Sequence, residues 1–543
     1  MTNAPALERS GRHVRLTVDG APFLCLGGEL HNSSSSDAAH MAPIWDRLSR
    51  SGVASVIAAV GWDQVEREEG VFDFGVVDDL LSGARNAGVR LVLIWFGAFK
   101  NASSTYAPQW VRADRARFPR ADRGATPYRA PFTYAGSMPR PALSVFSTEL
   151  LAADMRAYRA LMEHLARVDR QHTVVMMQVE NEVGLLGSSR DFSAPAIEAW
   201  ESAIPAELLD AVAEDRTGFH EDVLQLFRDE GERTASWRER FGDGNPVADE
   251  VFMAWAFASY LGALADAGKG IVPLPAYANA WLGPQPGQDL PGQYPSGGPT
   301  ARMGGVWRAA APALDFLAPD IYTPAVAAVM AEYTSDLNPL FVPEARVRTG
   351  DLFLAVGAFH AIGFHAFGID DVREGSQFFR GVRSLLALAP EIVAAQREGR
   401  IVGFAIDDDV DDVTATLQGV TVAIRSAPRM LSRMLLDVGV QVPTPPPLPS
   451  ETDSATHGDQ PADARAFGIL IALGPLEFLA IGQNAMIDFS CEGSEVEIDS
   501  VRELRLSDEG WVEGRLLNGD ERLDILGNGT ITGARITLLP FPG

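Results

Sequence analysis

Eight short apolar runs, separated by stretches of helical period, limit most sharply what this chain can fold into. They begin at Phe23 (FLCLGGEL), Ser55 (SVIAAV), Leu91 (LVLIWF), Val174 (VVMMQV), Ile271 (IVPLPAYA), Phe316 (FLAPDIYT), Leu340 (LFVPEA) and Phe364 (FHAFGI). Each is continuously apolar rather than alternating, as in parallel strands covered on both faces. Amphipathic stretches lie between most of them, at Met41–Arg50, Val76–Asn86, Glu149–Arg167, Pro299–Ala311 and Asp351–Ala361. Gly52, Gly88 and Gly363 follow three of these, as helix C-termini favour. Eight β–α repeats predict a (β/α)8 TIM barrel over residues 1–400, within an α/β fold. A doubly wound sheet is the fallback, but the first β–α turn, LGGELHNSSSSD, lacks GxGxxG, and there is no P-loop.

The repeats are unevenly spaced. An insertion with its own helices (AIEAWESAI, AELLDAVAE, HEDVLQLFRDEGERTASWRERF) runs from Leu185 to about Asp249, directly after the fourth strand. In a barrel this places it over the C-terminal face, where active sites lie. A second long loop, Lys100 to Ser147, follows the third strand and is expected to wall the same pocket. After about Arg400 the pattern changes. Residues 401–443 read as β-rich, 444–464 as a Pro-, Ser- and Asp-rich linker, and 465–543 as a smaller all-β, sandwich-like domain.

The formal net charge of −27 disfavours nucleic acid and anionic membranes as partners and suits a neutral small substrate. No continuous apolar run reaches the roughly 18–20 residues that cross a bilayer. The N-terminus has no apolar core or cleavage pattern, so a cytoplasmic location is expected. Cys25 and Cys491 suggest no disulfide framework. IDDDVDD, from Ile406, lacks the Gly and Glu of a calcium loop, and no HxH or HExxH occurs. No metal or cofactor is expected, and assembly into a homo-oligomer stays open.

The fourth run continues as VVMMQVENEVG, bringing Asn181 and Glu182 to a strand end, and the seventh delivers Glu344. Buried carboxylates are costly without a partner. Strands four and seven lie roughly across a barrel, and two carboxyls facing one pocket are what a glycosidase requires. The ordinary reading of each is a cap or ion pair, for Glu344 with Arg346 or Arg348. Trp62, Trp95, Trp281 and Phe367 sit near strand ends, as sugar platforms or core rings. Glu29, His31, Lys100, Asn101 and Asn279 are candidate hydroxyl contacts. Glu180 points away from Asn181 in a regular strand and receives no chemistry.

The segment VENEVG resembles the ENE-aromatic-Gly motif of family 35 glycoside hydrolases, largely β-galactosidases of the retaining (β/α)8 clan. LGGELHNS resembles that family's first strand through Gly28 and His31. GWDQVEREEGVFDF resembles its WNxHEPxxGxFDF through Trp62, Glu66, Gly70, Phe72, Asp73 and Phe74. LVLIWFGAFKNASSTYAPQWV and LNGDE resemble a bacterial subgroup with a small C-terminal β domain. Val183, Asp63, Val65 and Arg67 depart from the pattern in the region that lines the sugar pocket. The resemblance implies a retaining exo-β-glycosidase that removes terminal β-galactosides from an oligosaccharide or other β-galactoside by double displacement. Glu344 would be the nucleophile, Glu182 the acid/base and Asn181 the 2-hydroxyl contact, while Tyr322 would donate to Glu344 or else be a half-buried barrel aromatic. Alternatives are β-glucosidase, β-xylosidase or β-mannosidase activity, a non-catalytic carbohydrate-binding protein, or a metal-dependent lyase or isomerase.

Overall fold

The structure, a computed structural model of the chain, describes residues 4–11, 13–124, 140–214, 218–229, 232–407, 412–440, 462–492, 494–508, 510–522, 525–527 and 529–542. Its first part is a closed parallel barrel. The strands are β1 (Cys25–Glu29), β2 (Ser55–Gly61), β3 (Arg90–Lys100), β4 (Val174–Asn181), β5 (Ala276–Trp281), β6 (Phe316–Ile321), β7 and β8 (Gly363–Phe367). Pro343 divides β7 into Phe341–Val342, which pairs with β8, and Glu344–Ala345, which pairs with β6. Proline lacks the N–H a ladder needs. The chain changes partner across it, and that change closes the ring from β1 through β8.

Helices sheath the barrel where the apolar period placed them: Ala38–Ser51, Gly75–Ala87, Thr148–Val168 and Thr349–Ala358. Gly52 and Gly88 end the first two in the left-handed conformation. Between Pro299 and Ala311 the helix is shorter, a 3-10 turn at Ala301–Met303 leading into Gly304–Ala310. A hairpin, Ala6–Ser10 with His13–Val18, brings Leu16 and Val18 against Cys25, Ile57 and Phe316, closing the end opposite the strand C-termini.

Two expectations within the barrel segment change. Strand five starts at Ala276 rather than near Ile271, because Pro273 and Pro275 cannot join the ladder. The third helical stretch of the insertion divides into Glu221–Leu226 and Trp237–Phe241, the second opened by a Ser236/Glu239 capping box. The 24-residue helix Pro246–Lys269 is long and apolar enough to span a bilayer, although Asp249, Glu250 and Asp266 break its apolar run. It is packed within the protein, with 67% of its most apolar window buried.

The segments 401–443 and 465–543 are not separate units. Ile401–Ile406 pairs antiparallel with Ala466–Gly474, and Val420–Ser426 with Ala485–Cys491, within one sheet that runs on to Thr532–Pro542. Its two end strands, Ile401–Ile406 and Val413–Leu417, come back into contact around a second apolar core. The expected linker at 444–464 lies outside the described residues except for 462–464, and so does most of IDDDVDD.

The sheet packs on helix Thr349–Ala358, where two glycines let the backbones meet. A Cβ on Gly403 would stand 2.6 Å from the Gly357 Cα. Beside this seam Arg465 pairs with Asp351, Asp407 and Asp463. Gly403→Val is expected to cost roughly 1–3 kcal/mol by overpacking, read as a lower urea midpoint. An unchanged midpoint would mean the seam is loose.

Candidate active site

The backbone around the end of β4 is unusual. Glu180 and Glu182 have φ of 61° and 43°, a conformation that side-chain-bearing residues adopt only where the surroundings enforce it. Glu180 is buried and accepts from the backbone N–H groups of Gly97 (3.1 Å), Ala98 (2.9 Å) and Phe99 (2.9 Å). Asp154 beside it accepts from Trp95 Nε1 (2.8 Å), Ala98 N (3.2 Å) and the Tyr260 hydroxyl (2.9 Å). Burial raises both carboxyls above the ordinary range, Glu180 strongly. This knot sits where β3 and β4 lose register between Trp95 and Lys100.

Past the irregularity, Lys100 Nζ donates to Asn181 Oδ1 at 2.9 Å. Asn181 Nδ2 donates in turn to Glu344 Oε1 at 3.2 Å, and the Tyr322 hydroxyl donates to Glu344 Oε2 at 2.9 Å. Both oxygens of Glu344 are thereby held. Tyr322 is 36% exposed, so its ring opens to solvent while its hydroxyl stands among carboxyls. The Glu182 N–H donates to Asn279 Oδ1 at 3.0 Å, and Asn279 Nδ2 donates to Asp320 Oδ2 at 2.7 Å. Glu182 and Glu344 are each 7% exposed.

Charge sorts these groups. Burial, then the charge of Glu344, pushes Glu182 up to about 8, while Lys100 and a hydrogen bond with Asp320 oppose the rise. Asp320 is held well above the usual carboxyl range by burial, then by Glu344 and Glu182. Burial and then Glu344 raise Glu29 likewise, and among the described residues its Oε2 has no hydrogen-bond partner. On the β1–β8 side, His31 Nε2 meets Asp371 Oδ2 at 2.9 Å and the His31 backbone N–H donates to Asp370 Oδ1 at 3.1 Å. His31 also sits edge-on to Phe367, ring centroids 5.1 Å apart. Among the described residues, no group of three or more His, Cys, Asp or Glu is placed to hold a metal ion.

Glu182, Glu344, Asn181, Tyr322, Lys100, Asn279 and Glu29 thus converge on one barrel mouth. The Asn101 N–H donates to the Asn181 carbonyl at 3.1 Å. Trp281 is half-buried at the end of β5, in register with Asp320. Trp62 and Trp95 are fully buried, and their indole N–H groups donate to Glu66 and Asp154 at 2.8 Å each. They are core rings that close polar knots, not sugar platforms. Asp320, Asp370 and Asp371 were not foreseen. Asp320 lies two residues before Tyr322, on the same side of an extended chain, so the period of two could have found it.

Loops wall the mouth. Leu185 bridges to Ser296, tying the start of the insertion to the loop after β5, and Ser189 donates to Asp249 on helix Pro246–Lys269 at 2.6 Å. Arg123 donates to the Leu186 carbonyl at 2.6 Å. The loop after β3 therefore joins that wall, with residues 125–139 outside the described set.

Residues 34–210 match the sequence model of glycoside hydrolase family 42, β-galactosidase, and residues 382–526 match a domain of unknown function, DUF5597. No curated protein matches the chain. Among solved structures, the β-galactosidase of Bacillus circulans sp. alkalophilus is 16% identical, with a TM-score of 0.45 over 68% of this chain and 57% of that one. The β-galactosidase of Marinomonas ef1 is 13% identical, with a TM-score of 0.43 over 68% and 62%. The β-amylase catalytic domain of Paenibacillus polymyxa is 14% identical, with a TM-score of 0.42 over 68% and 98%. This chain thus spans less than two thirds of the length of those two β-galactosidases. The matched model belongs to family 42 rather than family 35, so the likeness reaches the β-galactosidase clan and not family 35 in particular. The fold is a (β/α)8 barrel, and residues 34–210 are similar in sequence to the family 42 β-galactosidases.

Proposed function

We infer that the chain is a retaining exo-β-glycosidase acting on terminal β-galactosides. The observation that carries this is the pair of carboxyls, Glu182 and Glu344, that the ends of β4 and β7 bring together. Glu182 is raised to about 8, so it is a proton donor near neutral pH, and both oxygens of Glu344 are aimed by Asn181 and Tyr322. A glycosidase needs one carboxyl to give a proton and another to attack. Glu344 bonds to the anomeric carbon as the carbon–oxygen bond breaks, its electron pair leaving with the aglycone oxygen, which takes the Glu182 proton. Water then returns a proton to Glu182 and its oxygen to the sugar, and the ester electrons go back to Glu344. The match over residues 34–210 and the family 35-like motifs support galactose as the glycone.

A panel of nitrophenyl β-glycosides tests the reading. β-Galactoside should be cleaved fastest, whereas preference for β-glucoside, β-xyloside or β-mannoside would reassign the glycone, and no turnover would overturn the reading. Because the first step needs protonated Glu182, kcat/KM should fall as pH rises through about 8. A profile flat to pH 10 would remove Glu182 as the acid.

A further inference from the structure

Asp320 takes no part in the displacement, yet it is built into the site. It lies in register with Glu344 across the β6–β7 pair and is 3% exposed. Its Oδ2 accepts from the Asn279 amide that also holds the Glu182 backbone. Among the described residues, its buried Oδ1 has no hydrogen-bond partner. What the Asp320 carboxyl faces instead is the Glu182 carboxyl. Two ionised carboxylates are acceptors only, so a hydrogen bond between the two requires a proton on one of them. The charged and titratable groups facing Asp320 are Glu344, Glu182, Glu29, Tyr277 and Tyr333, with Tyr322 also close. Those facing Glu182 are Glu344, Lys100, Asp320, Glu29 and Tyr322. Lys100 donates to Asn181 and not to Asp320.

Resting on the glycosidase reading, we propose that Asp320 is a positioning residue that stays a neutral acid through turnover and donates its O–H to Glu182 whenever Glu182 is the carboxylate. In the first step Glu182 passes its own proton to the leaving oxygen, and the Asp320 proton stays where it is. The resulting Glu182 carboxylate is steadied and aimed by that O–H. In the second step Glu182 takes a proton from the attacking water and the pair returns to its starting state. Asp320 therefore serves the base half of the cycle more than the acid half.

Asp320→Leu removes the donor, and Asp320→Asn keeps one. With an activated aryl galactoside the second step limits kcat, while kcat/KM reports the first. Asp320→Leu is expected to lose about 10–100-fold in kcat, the worth of a hydrogen bond to a charged group, with a smaller loss in kcat/KM. Its alkaline limb should move up by about one pH unit. Asp320→Asn should recover most of the lost kcat and restore the limb. Equal losses in both variants, or an unmoved limb in Asp320→Leu, would overturn the proposal. Infrared difference spectra of wild type against Asp320→Asn at pH 7 read the shared proton without any substrate. A protonated-carboxyl band lost in the variant is expected, and its absence from the difference would also overturn the proposal. If no aryl glycoside is cleaved but the band is present, the glycosidase reading fails and the proton assignment stands.

Discussion

Glu344→Ala is expected to cleave aryl β-galactosides at least about 10⁴-fold more slowly than wild type, the scale on which removal of a nucleophile is felt. The cavity left by the lost carboxyl should admit azide, which can attack the anomeric carbon in its place. Azide should restore measurable turnover and yield the glycosyl azide of inverted configuration. Glu344→Gly should behave alike. Glu344→Gln fills the space between Asn181 and Tyr322 with an amide, so it should be equally slow and azide should not rescue it. Wild-type-like turnover in Glu344→Ala would remove this residue from the mechanism.

Glu182→Ala should give the second-largest effect, and one that depends on the substrate. General acid catalysis is worth about 10²–10⁴-fold where the leaving oxygen needs a proton. A poor leaving group such as an alkyl alcohol or a second sugar should suffer the whole loss. A dinitrophenolate needs little protonation, so its first step should be nearly spared and kcat/KM should hold while kcat falls. Comparing kcat/KM across a series of aryl galactosides gives the slope on leaving-group acidity. The slope should be steep in Glu182→Ala and shallow in wild type. Identical slopes would place the proton donor elsewhere.

The barrel could be read in the sequence because each parallel strand is covered on both sides and leaves a continuous apolar signature. The two glutamates were legible for the opposite reason, since a carboxyl ending such a run has no structural need to be there. What could not be read depended on tertiary partners. Trp62 and Trp95 look like platforms by position, yet both are buried, their indoles donating to Glu66, four residues on, and to Asp154, which arrives from helix Thr148–Val168. Glu180 looked idle, and its role appears only once the N–H groups of Gly97 to Phe99 are turned toward it. Helix Pro246–Lys269 is buried along much of its circumference, so it carries little amphipathic period. The joining of 401–426 with 466–542 is long-range pairing, which no local pattern encodes.

The most direct test is to trap the covalent intermediate. Incubation with 2-deoxy-2-fluoro-β-galactosyl fluoride slows the second step, so a fluorosugar ester should accumulate and survive proteolysis. Mass spectrometry of the digest should find the added sugar on Glu344 alone. A label on another carboxyl, or no label from an enzyme that turns over β-galactosides, would contradict the assignment.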